Sequence, residues 1–359
     1  MTNPFEAFVD DAPASGPVLR AKLLGDAKRG FAKLHKVFVQ RPADGPRASM
    51  LAELVTGRHE RALDALLLIY ALEPVLYARK PGQEDSPLPL TTWAKMLSTP
   101  RKPCSTQAAS RAFEVLAAKR LITRWPQGRF VHVRPLFEDG SGERWERPGR
   151  DLSRVGKGYL TIPHAYWLNG LCDRLTLPGK AMFLIMLSET TKNETFSMAV
   201  ERAQDWYGIS ERTAERGYKE LRTATVDGVQ PLLREHRQVV LEPRSPTGVR
   251  AVWHRALSAP YSQTARARLQ ARSARATKNA EEQAAERQKK QPAKAAKATG
   301  GQWPPEAQWP DQDLGASVTS IRRPRSEPAR TGARDRTTER RRAPGDGQEE
   351  ARAAAGGSR

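Results

Sequence analysis

The chain has 359 residues, with 60 Lys plus Arg against 40 Asp plus Glu, a formal net charge of +20 and an isoelectric point near 10.3. That balance points to polyanionic partners, nucleic acid before an anionic membrane or an acidic protein, and no run of about 18 apolar residues is available to span a bilayer. Two cysteines, Cys104 and Cys172, stand far apart without CxxC spacing, so neither a disulfide framework nor a zinc site is expected.

From the N-terminus, MTNPFEAFVDDAPASG is acidic where a secretory signal needs positive charge and then an apolar stretch. A cytoplasmic protein is the expectation. Residues 1–29 read as a flexible N-terminus whose acidic and aromatic stretch at 3–11 has the makings of a docking segment. The first richer segment, 30–137, opens on Gly30-Phe31-Ala32-Lys33-Leu34-His35-Lys36-Val37-Phe38. ALDALLLIYAL from Ala62 then predicts a helix apolar almost all round, as at the centre of a small domain. Leu90 to Leu97 predicts a short helix, and residues 98–104 a turn region. Ser105 is placed to cap a helix from Thr106 to about Arg120, with Ala109, Ala112, Phe113, Leu116 and Ala117 as its apolar stripe. Leu121 to Trp125, the turn Pro126-Gln127-Gly128 and Arg129 to Val133 predict a short, sharply turned hairpin.

A polar, Gly- and Pro-bearing stretch, 138–156, reads as a linker. The second richer segment, 157–258, repeats the order of the first. Gly158-Tyr159-Leu160-Thr161-Ile162-Pro163-His164-Ala165-Tyr166 presents aromatic, aliphatic, His and aromatic residues in the same order, and AMFLIMLSET from Ala181 supplies the central helix. Ala199 to Tyr207 predicts a short amphipathic helix, Gly208-Ile209-Ser210 a turn and cap, and Glu211 to Arg222 a second helix with Ala214, Tyr218 and Leu221 inward. LLREHRQVVLE, the loop PRSPTG and VRAVWHRAL predict a hairpin. Residues 259–296 predict a basic helical extension. Residues 297–359 read as a disordered tail, because Leu269, Leu314, Val318 and Ile321 are the only Leu, Ile, Val, Met or Phe after residue 260.

Helix, Gly-bearing turn, helix and hairpin, twice over, resemble tandem winged-helix DNA-binding domains, and WYGISERTAERGYKEL carries the clearest likeness. The fold class expected is α+β, with two related winged-helix domains in tandem and a disordered basic C-terminal tail. Two such domains on a short linker resemble the architecture of theta-type plasmid replication initiators. That resemblance implies a sequence-specific binder of double-stranded DNA at origin repeats, with the replication machinery as a further partner. The sequence departs from the usual pattern at Gln204, where a small residue is common before the turn, at Pro100 and Pro103 in the first turn, and at Arg120, where Gly is common. A winged-helix transcriptional regulator meeting the transcription machinery and a nucleoid-type structural DNA binder remain open as alternatives. A homodimer is compatible with each.

From Arg101 to Arg134 there are eight basic residues and one acidic residue, Glu114, a one-signed block that complements phosphate. The expected contacts in the first copy are Arg101, Lys102, Ser105, Thr106, Gln107, Ser110 and Arg111 at the helix start, Arg124 on the hairpin and Arg129 at its tip. In the second copy they are Ser210, Arg212, Thr213, Arg216 and Lys219 on the helix, with Arg237 and Arg250 on the hairpin. No GxxxxGK[ST] occurs, and the six histidines form neither HExxH nor His-x-His. The expectation is no catalysis, no metal and no cofactor.

Overall fold

Two short strands that the sequence repeats pair with one another in the computed structural model, which describes residues 14–40, 48–77, 85–148 and 158–298. Gly30 (φ +79°) and Gly158 (φ +113°) turn the chain into β1 (Phe31–His35) and β5 (Tyr159–Pro163). The strands run antiparallel with Phe31 opposite Pro163, Lys33 opposite Thr161 and His35 opposite Tyr159. Phe31 holds the repeat position of Tyr159, and His35 that of Pro163. The pairing therefore relates the copies by a local two-fold axis between Lys33 and Thr161.

The architecture is mixed α and β with four small sheets among the described residues, three of two strands and one of three. In the first copy β1 leads through α2 (Met50–Thr56) into α3 (Glu60–Leu76), the buried central helix. Short β2 (Leu88–Pro89), α4 (Leu90–Leu97), α5 (Thr106–Ala118) and the hairpin β3 (Ile122–Gln127) and β4 (Phe130–Pro135) follow, with sheet order β2-β4-β3. The second copy runs β5, α6 (Ala165–Leu168), α7 (Leu171–Arg174), central α8 (Leu177–Glu189), α9 (Ala203–Tyr207), α10 (Glu211–Thr223), the small β6 (Thr225–Val226) and β7 (Gln230–Pro231), then β8 (Leu233–Leu241) and β9 (Val249–Leu257). An isolated bridge from Phe196 to Arg255 of β9 stands where β2 meets β4 in the first copy.

Helices α3 and α8 are buried around nearly their whole circumference, from Ala62 to Leu72 but for Asp64 and from Gly179 to Ser188. Burying each Leu, Ile or Phe there contributes roughly 1.5–3 kcal/mol. A single continuous core results, in which Leu34, Leu66 and Phe113 of the first copy join Leu160, Phe183 and Tyr218 of the second.

Two expectations change. Residues 1–29, read as flexible, include α1 (Gly16–Asp26), whose Arg20 is 3% exposed. The Arg20 guanidinium donates to the Met96 carbonyl at 2.8 Å and pairs with Asp173 at 2.5 Å. An arginine at a core position hides the helix from any hydrophobic-period search. The docking segment expected at 3–11 lies outside the described residues. The first part of the expected linker is tied to the first copy: buried Glu138 accepts from His35 Nδ1 at 2.8 Å and from Trp145 Nε1 at 3.2 Å, and Arg147 pairs with Glu73 at 2.5 Å. The basic extension folds as α11 (Gln263–Ala298), rooted by buried Arg266, which donates to the Leu187 and Thr190 carbonyls at 3.0 and 2.7 Å. Residues 1–296 form one compact unit and 297–359 another, and the expected tail, from residue 299 on, lies outside the described residues.

Candidate nucleic-acid interface

Helices α5 and α10 match residue for residue at the offset from Ser105 to Ser210. Each has 13 residues and a serine N-cap. Ser105 Oγ accepts from the Ala108 N–H at 3.1 Å, and Ser210 Oγ from the Thr213 N–H at 3.3 Å. Such a cap stabilises a helix by about 1 kcal/mol. Buried positions coincide too: Ala109, Ala112, Phe113 and Leu116 in α5, against Ala214, Gly217, Tyr218 and Leu221 in α10. Gly217 replaces an alanine because α10 lies closer to its central helix; a Cβ there would come within 2.3 Å of Met182 Cγ and 2.5 Å of the Pro178 carbonyl oxygen.

At 3.6 residues per turn the side opposite the buried stripe carries Gln107, Arg111 and Glu114 in α5. On α10 it carries Arg212, Arg216 and Lys219, and all six are exposed. Thr106 is exposed in the first turn of α5, and Thr213 is half-buried, its Oγ1 2.9 Å from Ser210 Oγ.

The turns that lead into these helices are each held by the other copy. Arg101, in the turn before α5, donates to the Asp173 carbonyl of α7 at 3.0 Å. Lys102 pairs with Glu60 at 3.3 Å, and Glu60 pairs in turn with Lys180 of α8 at 3.0 Å. Lys180 is 1% exposed and also meets Asp64 at 2.7 Å. Burial opposes its charge, yet Asp64 and Glu60 together hold its pKa above the ordinary lysine value. In the second copy Gly208 (φ +70°) closes the turn before α10 against α2, where a Cβ would lie 2.7 Å from Ala48 Cβ and 3.1 Å from Ala52 Cβ. Gln40 Nε2 adds a bond to the Trp206 carbonyl at 2.7 Å. Since α2 and α7 occupy equivalent places, the contact is reciprocal, as in an isologous dimer.

The basic block at 101–134 is less one-signed in space than along the chain. Lys119 pairs with Glu53 at 2.8 Å, Arg134 with Asp85 at 2.6 Å, and Arg124 with Glu114 at 3.2 Å while also donating to Ser110 Oγ at 3.1 Å. Ser110 itself donates to Glu114. Among the described residues Arg111 and Arg120 have no acidic partner, and Arg129 lies over the Phe130 ring at 5.2 Å. The second copy differs. Arg212, Arg216, Lys219, Arg234, Arg237, Arg244 and Arg250 are all exposed, and no carboxylate among the described residues pairs with them. On α10 and its hairpin, Arg222 and Arg255 are the cations engaged by a carboxylate among the described residues, both on Glu235, at 2.7 and 2.8 Å.

Sequence reasoning missed the buried set of Arg20, Glu60, Asp64, Asp173 and Lys180, because its members are far apart in the chain. Arg234 and Arg244, counted in the sequence among the hairpin cations expected to meet DNA, are both exposed on or beside the hairpin. Among the described residues no group of three or more His, Cys, Asp or Glu is placed to hold a metal ion, and no helix is long and apolar enough to cross a membrane. Comparisons with protein-family models, curated proteins and solved structures returned no match.

Proposed function

We propose that the chain is a sequence-specific binder of double-stranded DNA built from two winged-helix domains, with α5 and α10 as recognition helices and the β3–β4 and β8–β9 hairpins as wings. The observation that carries this reading is the matched pair of Ser-capped helices with polar outward faces, each preceded by a short helix and followed by a hairpin. Sheet order β2-β4-β3, in which the strand before the helix pair joins the second hairpin strand, supports it further. Polar residues at the start of such a helix suit base edges: Gln107 can pair with adenine and Arg111 or Arg212 with guanine. Phosphate contact falls to cations left without a carboxylate partner among the described residues, Arg129, Arg216, Lys219, Arg237 and Arg250.

The local two-fold axis makes one chain the counterpart of a dimeric reader, so its site should hold two half-sites in opposed orientation. Different outward faces on α5 and α10 make those half-sites unequal in sequence. Within this class the favoured role is a plasmid or mobile-element replication initiator that binds origin repeats and has no catalytic activity of its own; the resemblance of tandem winged helices to theta-type initiators supports it. A transcriptional regulator is the second reading, favoured by the same two-fold geometry, which suits an inverted repeat at a promoter. Selecting bound duplexes from a random pool and mapping the recovered motif on the source DNA tests both. Repeats beside an AT-rich region that supports autonomous replication fit the initiator, and a single inverted repeat at a promoter fits the regulator. Recovery of no motif at all, with equal affinity for every duplex, would leave only a nucleoid-type coat.

A further inference from the structure

The β8–β9 hairpin carries an apolar row that lies exposed among the described residues. Val239, Leu241, Val249 and Trp253 are 57%, 87%, 38% and 44% exposed. Register puts them on one face, with Leu241 opposite Val249, Val239 opposite Ala251 and Arg237 opposite Trp253. One step nearer the body, the same face carries Glu235 opposite Arg255. There Glu235 is held by Arg222 of α10, and the Arg255 guanidinium lies 4.1 Å from the Tyr218 ring centroid of α10. So the apolar row continues outward on the face against which α10 packs. The β3–β4 hairpin is built the other way: Arg124 faces α5, while the exposed Trp125, stacked on His132 at 5.0 Å, lies on the opposite face.

We propose that the tip of this hairpin is a minor-groove wedge: Leu241 and Val249 enter between base pairs and kink the duplex that α10 holds. The inference rests on the reading of the chain as a duplex-DNA binder. Charge selects the occupant, because Arg237 shares the face of the row, Arg244 stands in the loop at its tip, Arg234 and Arg250 lie on the other face of the same ribbon, and Glu242 is the one carboxylate in residues 236–250. An apolar protein face does not call for arginines on the same ribbon. A hairpin that only grips phosphate has no use for Leu241 in water, whereas architectural proteins pair apolar wedges with arginine to unstack a base step. Reach agrees as well. From Arg237 to Leu241 the ribbon extends about 13 Å at ~3.3 Å per residue, which with the length of the Leu241 side chain approaches the half-turn of about 17 Å that separates a major groove from the next minor groove.

The test uses the full chain and a duplex recovered by selection from a random pool, labelled at both ends for energy transfer and carrying 2-aminopurine at successive positions. The wild type is expected to bend the saturated duplex by roughly 20–90° and to raise 2-aminopurine emission at one step. Replacing Leu241→Ala and Val249→Ala together should remove at least half of the bend and the emission change at saturating protein, with affinity reduced less than tenfold. Arg237→Ala should weaken affinity and lower the salt dependence while the saturated complex stays bent. If the double variant leaves the bend and the unstacked step as they were, the wedge is wrong. If it instead turns a dimer into a monomer without altering the bend, the row is a contact between copies and the proposal is overturned. Failure to recover any preferred duplex would overturn the DNA reading itself, a result distinct from a bound but straight duplex.

Discussion

The two halves of the chain share one plan and spend their charge differently. In the first, the cations beside the recognition helix are drawn into the fold: Lys102, Lys119, Arg124 and Arg134 each meet a carboxylate, and Arg101 is tied to the other copy through the Asp173 carbonyl. In the second, the outward face of α10 and the exposed ribbon keep theirs unpaired among the described residues. A window of sequence counts charge along the chain, but a polyanion meets what is left after distant acids have paired. On the proposed DNA-binding reading, the first copy has few free cations and would contribute chiefly to base reading, and the second chiefly to phosphate grip.

The largest expected effect comes from separating the halves. Lys180→Ala removes the shared cation and leaves Asp64 and Glu60 facing each other in a buried site, which should lower unfolding free energy by about 3–5 kcal/mol in urea titration. Next is His164, whose pKa is lowered to about 4 by burial, with Arg29 adding to the shift. The unfolded chain takes up that proton near pH 6.5 and the folded chain only near 4. The contribution is therefore complete above about 6.5, declines as the pH falls toward 4, and then levels off. Its size is about 3 kcal/mol. A His164→Gln variant should lose that part of the pH dependence, while His35→Gln should keep it.

Binding variants sharpen the contrast between grip and reading. Arg216→Ala with Lys219→Ala should weaken all duplexes alike and reduce the salt slope by about 2, one for each phosphate contact. Arg111→Ala should cost about 1–3 kcal/mol and relax preference at one base position. Because Arg124 is already bonded to Ser110 and Glu114, Arg124→Ala should act more weakly than Arg111→Ala in the same titration. Smallest of all, removal of 299–359, whose 11 Arg nearly balance its 9 Asp plus Glu, should lower affinity only slightly at low salt without changing the preferred sequence.

Much of this plan could be read from the residues. Ser105 and Ser210 before apolar stripes of the same spacing announced α5 and α10, and the paired landmarks at Gly30 and Gly158 announced a repeat. That the repeated strands pair with each other was not legible, since nothing in either strand encodes its partner. Helix α1 was hidden by Arg20, a charged residue whose burial makes sense only once Asp173 is beside it. Helix α2 went unseen because seven residues, Met50–Thr56, are too few to show a period beside the Pro- and Gly-bearing stretch before them. The carboxylates of Glu53, Glu60 and Asp85 could be assigned to the basic block only in three dimensions. On the exposed ribbon, alternation gave the strands, but register was needed to put Val239, Leu241, Val249 and Trp253 on the side of α10.

The central claim is that one chain presents two unequal recognition helices, related by a two-fold axis, to one duplex. Hydroxyl-radical footprinting of a selected duplex, with the stoichiometry of the same complex taken by native mass spectrometry, tests it most directly. The account predicts one chain per site, with two protected half-sites of opposite orientation and different sequence. It also predicts loss of one half-site's preference alone in Arg111→Ala. Protection of a single half-site by one chain, or two identical half-sites that each need their own chain, would contradict it.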